Sequence, residues 1–195
     1  MRQKRSDRVT ETRGKLIEAG RSAFSEKGYA NTATEDLTAA AGLTRGALYH
    51  HFGGKKGLLE AVIEVIDAEA AEQLKLVVAR AKTPWEGFVA ENVAWVEMAL
   101  EPEIRRIVLL DGPAVLGDRT RWGSGSACLV STKASIEALV QLEICKSVDA
   151  EATAYLINGA ALNAALWIAG AEHPKNAAVE AIRSFRILLD GLRIT

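Results

Sequence analysis

The stretch TRGALYHHF, residues 44 to 52, places a guanidinium, a phenol and two imidazoles within about two turns of helix. Those groups support three kinds of chemistry: metal ligation by His50 and His51, recognition of phosphates and base edges, or packing of aromatic rings in a core. Metal ligation fits poorly. Adjacent helical positions point about 100° apart, and no thiol or carboxylate stands at ligand spacing, so no metal is expected. The sequence GGKKG, residues 53 to 57, lacks both the GxxxxGK[ST] spacing and the preceding strand of a phosphate loop. The residues do suit a helix whose tip meets a groove. Arg45 can give two parallel hydrogen bonds to guanine, and Gly46 and Ala47 let the backbone come close, with Ala47 able to touch a thymine methyl. Tyr49 and His50 can donate to phosphates. Lys55 adds a cation beside the free amides that open the next helix. Phe52 belongs with the core by its helical phase.

A helix at 44–52 needs partners to hold it. A first helix is predicted from about Asp7 to Lys27, with Leu16, Ala19, Ala23 and Phe24 on one face and Gly28 as a left-handed terminator. Thr32-Ala33-Thr34-Glu35 matches a capping box, with Thr32 as the cap, opening a short helix that ends near Ala41. Gly42 turns the chain, Thr44 caps the third helix through His51, and Gly53-Gly54 stops it. Two short helices about a glycine turn have helix-turn-helix spacing, with Leu37, Ala41, Leu43, Leu48 and Phe52 able to face inward. A long fourth helix is expected from Lys55 to about Arg80, with Leu58, Leu59, Val62, Val65 and Ile66 inside.

Charge follows the same division. Residues 1 to 56 carry 11 Lys and Arg against 6 Asp and Glu, whereas residues 57 to 195 carry 13 against 19. A basic head on an acidic body suits a polyanion at one end, although Arg2, Lys4, Arg5 and Arg8 equally describe a solvated basic tail. Hydrophobic residues make up 49% of the 195 and charged ones 25%, enough for a core and unlike a disordered chain. Cys128 and Cys145 form no CxxC or CxxH pattern and read as reduced thiols of a cytoplasmic protein. No apolar run follows the basic N-terminus as a signal peptide would. The most apolar stretch, LINGAALNAALWIAGA, is shorter than a membrane span needs and holds Asn158 and Asn163.

Beyond the fourth helix, Pro84, Pro102, Pro113 and Pro174 punctuate helices predicted near 85–100, 103–111, 124–145, 149–171 and 175–192. The segment DGPAVLGDRTRWGSGS, 111 to 126, is expected to be the least regular. Alternating strand patterns are absent. The expected fold is all-α: a three-helix helix-turn-helix head, residues 1–54, joined by the long fourth helix to a larger helical ligand-binding and dimerisation body, residues 55–195. Trp85, Trp95, Trp122 and Trp167 all fall in the body, either as core or as walls of a mostly apolar pocket. Asn92 and Trp95 are three apart, and Asn163 and Trp167 four apart. With Trp122 these are the pocket candidates, for a ligand of apolar or aromatic character. Ala177, Ile182, Phe185, Leu188, Leu189 and Leu192 make an apolar stripe near the chain end, and Gly159, Ala160, Ala161, Ala164 and Ala165 permit close helix approach. Pairing with a second copy through Ala161, Ala165, Ile182, Phe185 and Leu189 is one use of that stripe. Packing on its own body is the other.

Across residues 8 to 66 the chain resembles the DNA-binding head of the tetracycline-repressor (TetR) family. The matching features are Phe24, Gly28-Tyr29, Thr32, Ala40-Ala41-Gly42, Gly46, Leu48-Tyr49, Phe52, Lys55 and Leu58-Leu59. More weakly, LLDGPAVLGDRTRW and the helices after it resemble the ligand-binding bodies of one uncharacterised branch. The resemblance implies a homodimeric, all-helical repressor, without a cofactor, that binds a palindromic operator in double-stranded DNA and releases it when a small-molecule effector enters the body. By position, Thr34, Thr44, Arg45, Ala47, Tyr49, His50 and Lys55 match the family's DNA-contacting places. Ala33 departs from the pattern. It stands where the family often has a Ser or Thr that touches a phosphate, so that contact is expected to be missing and partly replaced by Thr34. The rival readings are a helical enzyme or small-molecule carrier whose head only tethers it. Against an enzyme, the body has one histidine, His173, beside Pro174, and no Ser-His pattern, carboxylate pair or cofactor loop.

Overall fold

The computed structural model describes the backbone of residues 2–119 and 122–194 and the side chains of 9–119, 122–123 and 125–194. Among them every regular element is helical, apart from an isolated antiparallel bridge between Cys145 and Arg193. The all-α expectation holds. The side chains of the tail cations Arg2, Lys4, Arg5 and Arg8 lie outside the described residues.

The chain divides into two compact units, Met1–Ile66 with Arg106–Gly117, and Asp67–Arg105 with Asp118–Thr195. These packing units do not follow the expected functional division at residue 54 one for one. The first unit takes in the front half of the fourth helix and a second segment distant in sequence.

In the first unit, α1 (Arg2–Lys27), α2 (Thr34–Ala40) and α3 (Arg45–Phe52) surround the front of α4 (Lys55–Ala79). The helix starts earlier than the predicted Asp7 because no Pro or Gly interrupts residues 2 to 13. Leu16, Phe24, Leu37, Leu48, Leu58, Leu59 and Val62 are fully buried. These are the residues that helical periodicity picks out, and each is worth about 1.5–3 kcal/mol of burial. Gly28 takes φ +76, and its N–H closes on the Phe24 carbonyl at 3.0 Å. A Cβ there would also collide with the Arg106 guanidinium. Gly53, at φ +69, stops α3 as expected, and the Thr44 hydroxyl caps it by accepting from the Ala47 N–H at 3.3 Å.

The capping box expected at Thr32 does not form. Thr32 is buried, and its hydroxyl donates to the Gly28 carbonyl at 2.7 Å. Ala33 occupies the cap of α2 with no side chain to offer, and Glu35 turns outward to Arg45. Burial of a hydroxyl that has found a carbonyl outweighs a surface cap worth about 1 kcal/mol. The uncapped amides make a test. Ala33 already has extended dihedrals, φ −79 and ψ 147. Ala33→Ser is therefore expected to raise unfolding free energy by about 0.5–2 kcal/mol, read by urea denaturation; no gain would mean the α2 amides are satisfied another way.

The returning segment of this unit begins inside a π-helix, Ile104–Asp111, and continues into the short α6 (Gly112–Leu116). A helix was expected over 103–111; its widening was not. The Asp111 carboxylate accepts the Tyr29 N–H at 2.7 Å and pairs with Arg106 at 3.3 Å. The turn after α1 is thus held by residues more than eighty positions away.

In the second unit, α5 (Pro84–Glu97), α7 (Gly123–Gln141) and α9 (Pro174–Asp190) pack around α8 (Ala150–Gly170). Thr83 caps α5 by accepting from the Glu86 N–H at 3.1 Å, and Glu86 reaches back to the Lys82 N–H at 3.0 Å. This Thr-x-x-Glu box was missed in the sequence because Pro84 alone marked the helix start. Asp149 caps α8 through the Ala152 N–H at 2.7 Å. The chain end pairs with the residues after α7, the Ile194 N–H reaching the Ile144 carbonyl at 3.0 Å and the Lys146 N–H the Leu192 carbonyl at 2.8 Å.

Apart from its last residue, the apolar stretch lies within the longer α8, which at 21 residues is long and apolar enough, by length and composition alone, to cross a membrane. Its inner residues Ala154, Ile157, Ala161, Ala165 and Ile168 are buried among neighbouring helices, the place of a core helix.

The expected pairing face is also corrected. Phe185 is 3% exposed and Leu189 1%, with Ala161 and Ala165 equally enclosed, and Ile182 is half-buried. Apart from Leu188, which is exposed, the stripe packs on its own body, because α8 offers a row of alanines that lets α9 come close. Of the stripe only Leu188 stays outside, joined by Val179 and Ile187 on α9 and by Tyr155, Leu156, Leu166 and Trp167 on α8.

Candidate nucleic-acid interface and interior polar cluster

The outer face of α3 carries Arg45, Gly46, Tyr49 and His50, all exposed, while Leu48 on the opposite side is fully buried. Thr44 and Arg45 stand at the N-terminal tip, where unpaired amides add positive potential. The Arg45 guanidinium lies 5.5 Å from the Tyr49 ring centroid and pairs with Glu35 at 3.1 Å. Tyr49 first, and then Glu35, raise the Arg45 pKa further above its ordinary value. Both partners of the ion pair are exposed, and an exposed pair is worth only about 0–1 kcal/mol. Arg45 can therefore leave Glu35 for a stronger acceptor.

The other positions carried over from the resemblance divide. Thr34 is half-buried and opens α2; Ala47 is half-buried and its N–H is taken by the Thr44 cap. His50 and His51 meet edge to face, ring centroids 5.2 Å apart. Lys55 turns inward. Its ammonium donates to the Tyr29 carbonyl at 2.9 Å and the Thr32 carbonyl at 2.8 Å, and lies 4.2 Å from the Tyr29 ring centroid. Two of its three hydrogens thus brace the turn before α2, leaving at most one for a phosphate. Phe52 is half-buried beneath the Arg13 guanidinium, 4.7 Å from the ring centroid.

In the second unit the five pocket candidates separate. Trp167 is 55% exposed, and the exposed Asn163 folds its amide back onto the Gly159 carbonyl at 3.0 Å. Neither faces the interior, because both lie on the α8 side opposite its buried alanines. Asn92 is buried, and its amide donates to the Phe88 carbonyl at 2.9 Å. Trp95 and Trp122 are half-buried and share a neighbour that sequence reasoning did not single out, Arg119. The guanidinium lies 6.0 Å from the Trp95 centroid and 5.1 Å from that of Trp122. Arg119 Nη2 donates to Asp67 Oδ1 at 2.8 Å, with the two side chains only 11% and 13% exposed. Asp67 sits on α4, more than fifty residues earlier, so no local pattern links the pair. Glu91, half-buried on α5, has its pKa raised by burial. Cys128 is exposed as a residue, yet desolvation of the thiol and then Glu91 raise its pKa, Arg119 opposing and Asp67 adding to them. Glu91, Arg119 and Asp67 thus each act on that thiol.

Two family models match the chain: "Bacterial regulatory proteins, tetR family" over residues 16–62, and "Tetracyclin repressor-like, C-terminal domain" over 85–192. Among curated proteins, it is 40% identical over 81 residues to the HTH-type transcriptional regulator CymR of Pseudomonas putida, covering 42% of this chain and 40% of that protein. It is 38% identical over 66 residues to the transcriptional repressor AcnR of Corynebacterium glutamicum, covering 34% and 35%. The matched stretch thus spans well under half of these relatives. Among solved structures, a TetR-family transcriptional regulator from Pectobacterium atrosepticum is 46% identical, with 97% of both chains covered and a TM-score of 0.90. The ketosteroid regulator KstR2 of Mycobacterium tuberculosis, 18% identical with 94% and 95% covered and a TM-score of 0.62, shares the fold alone.

Proposed function

Because the chain belongs to the TetR family of bacterial transcription regulators, we propose that it is a cytoplasmic, ligand-responsive repressor that binds a palindromic operator as a homodimer. The observation that carries this is the open tip of α3, with Arg45 and Tyr49 exposed beside two residues that have almost no side chain. A helix with that tip enters a major groove N-terminus first. Arg45 exchanges Glu35 for guanine O6 and N7, and Tyr49, His50 and Thr44 hold the phosphates. Lys55 stiffens the α2 approach instead of acting mainly as a phosphate ligand, as its two carbonyl bonds suggest.

The homodimer forms through the outer faces of α8 and α9. Leu156, Trp167, Val179, Ile187 and Leu188 are large apolar side chains left exposed on two helices that pack together, which supports an interface there. A two-fold pairing of such helices buries the same patch on both copies.

An effector acts only if it binds one arrangement of the dimer better than the other. Three peptide links join the two units, and one lies inside the π-helix, between Arg105 and Arg106. Arg105 is anchored on the Ala169 carbonyl at 2.7 Å, and Asp111 holds the Tyr29 amide. A few residues further on, the same stretch of chain carries Arg119 and Trp122. The chain links after Ile66, Arg105 and Gly117 are the covalent routes by which an effector in the body would act on the head. Reciprocity requires the operator to weaken the ligand by the same factor.

The deciding experiment is selection of bound fragments from random duplexes. The expected product is a palindrome whose half-sites lie about 34–36 Å apart or somewhat more. Its affinity should fall steeply with salt, as phosphate contacts require. Recovery of unrelated sequences, or binding indifferent to salt, would defeat the repressor reading.

A further inference from the structure

Among the described residues, three buried polar side-chain atoms lack a hydrogen-bond partner: Arg119 Nη1, Asp67 Oδ2 and Trp122 Nε1. Buried polar groups are nearly always paired, so each orphan needs a reason. Here all three belong to one cluster. The Arg119–Asp67 pair is made through one nitrogen and one oxygen, Nη2 and Oδ1 at 2.8 Å, which leaves a donor and an acceptor unused on the same two side chains. The Trp122 indole N–H adds a second donor, with the guanidinium 5.1 Å from its ring centroid. The unmet demand is for an acceptor to serve the two donors and a donor to serve Asp67.

Charge narrows the class. Arg119 is already neutralised by Asp67, with Nη2 and Oδ1 at 2.8 Å and both side chains nearly enclosed. An anionic ligand would add a second negative charge to one positive charge in a poorly solvated place. A purely apolar ligand would leave all three orphans unpaired. The faces of Trp95 and Trp122 offer flat apolar walls to whatever carries the polar end.

We infer that the body binds a neutral ligand with a carbonyl oxygen beside an N–H or O–H donor, as in a carboxamide, on a flat apolar frame, with Arg119, Trp122 and Asp67 reading the polar end. The inference rests on the ligand-responsive reading above.

The probes are benzamide, benzoate and toluene, which share one ring and differ in the polar end. Binding to the full-length protein without DNA is followed by saturation-transfer NMR. Benzamide is expected to bind at least about tenfold more tightly than benzoate or toluene, the order of one good hydrogen bond to a charged group. Trp122→Phe keeps an aromatic face, though a smaller one, and removes the N–H, so benzamide should weaken several-fold while toluene changes less. Asp67→Asn leaves Arg119 unneutralised, so benzoate should now overtake benzamide; a merely structural role for Asp67 would not reverse the order. Circular dichroism establishes that each variant is folded, and if Asp67→Asn is not, Arg119→Met replaces it and should abolish the benzamide preference. Benzoate matching benzamide on the unaltered protein, no benzamide binding, or an order unchanged in the folded variants would each overturn the inference. Operator release is scored separately. Benzamide bound without release would refute ligand responsiveness and leave the site standing, and operator binding without benzamide binding would do the reverse.

Discussion

Placing glutamate at both Leu156 and Trp167 is expected to convert dimers to monomers and to cut operator affinity by roughly 10²–10⁴-fold, the advantage that linking two binding modules confers. Leu156 is 74% exposed on the protomer and Trp167 55%, so neither contributes much to the protomer's own core. The doubly substituted chain should fold with near-normal stability, since exposed positions away from special features rarely shift it by more than about 0.5 kcal/mol. At a two-fold interface each substitution is felt twice, and four carboxylates would meet where apolar surface was to be buried. Phe185→Glu makes the contrast. Phe185 is 3% exposed inside the protomer, so glutamate there buries an unpaired charge and unfolds the body whatever the state of association. Sedimentation mass, operator titration and a urea curve on both variants separate the two effects. A Leu156/Trp167 variant that kept its dimeric mass would move the interface off α8.

Replacing Arg45 with alanine is expected to cost about 1–3 kcal/mol at each half-site. The loss should concentrate at one base position, mirrored across the palindrome. The free-state partner does not alter this sign. The Arg45–Glu35 pair is exposed on both sides and is worth at most about 1 kcal/mol, less than a bidentate bond to guanine. Tyr49→Phe should weaken all sequences by a similar, smaller factor, because a phosphate contact carries no base information. Comparing selected sites for the parent and the two variants checks both statements. If the Arg45→Ala selection returned the parent's consensus, another side chain would be the reader.

Much of the head was legible because its rules are local. Gly28 and Gly53 stop helices since their backbone angles suit glycine, Thr44 caps α3 since its own next turn needs an acceptor, and Leu16, Phe24, Leu37 and Leu48 recur at helical spacing. The errors share a cause. Thr32 matched a local capping pattern, but a carbonyl one turn before it, in the buried interior, offered more. Lys55 looked like a free cation at a helix start, but the turn before α2 presents two carbonyls to it. The α9 stripe was correctly seen as apolar, yet apolarity does not say whether the covering surface comes from the same chain or a second copy.

The order of residues alone determined the helices, the helix-turn-helix head, the exposed tip of α3 and, through the ordered run from Phe24 to Leu59, the family. Each depends on interactions a few positions long. Only the tertiary structure decided that Asp111 holds Tyr29, that Asp67 meets Arg119 between two tryptophans, and that Phe185 faces inward while Trp167 faces out. Those pairings join residues tens of positions apart, where packing of whole helices sets which side chains are enclosed together, and nothing in the spacing of either partner encodes the other.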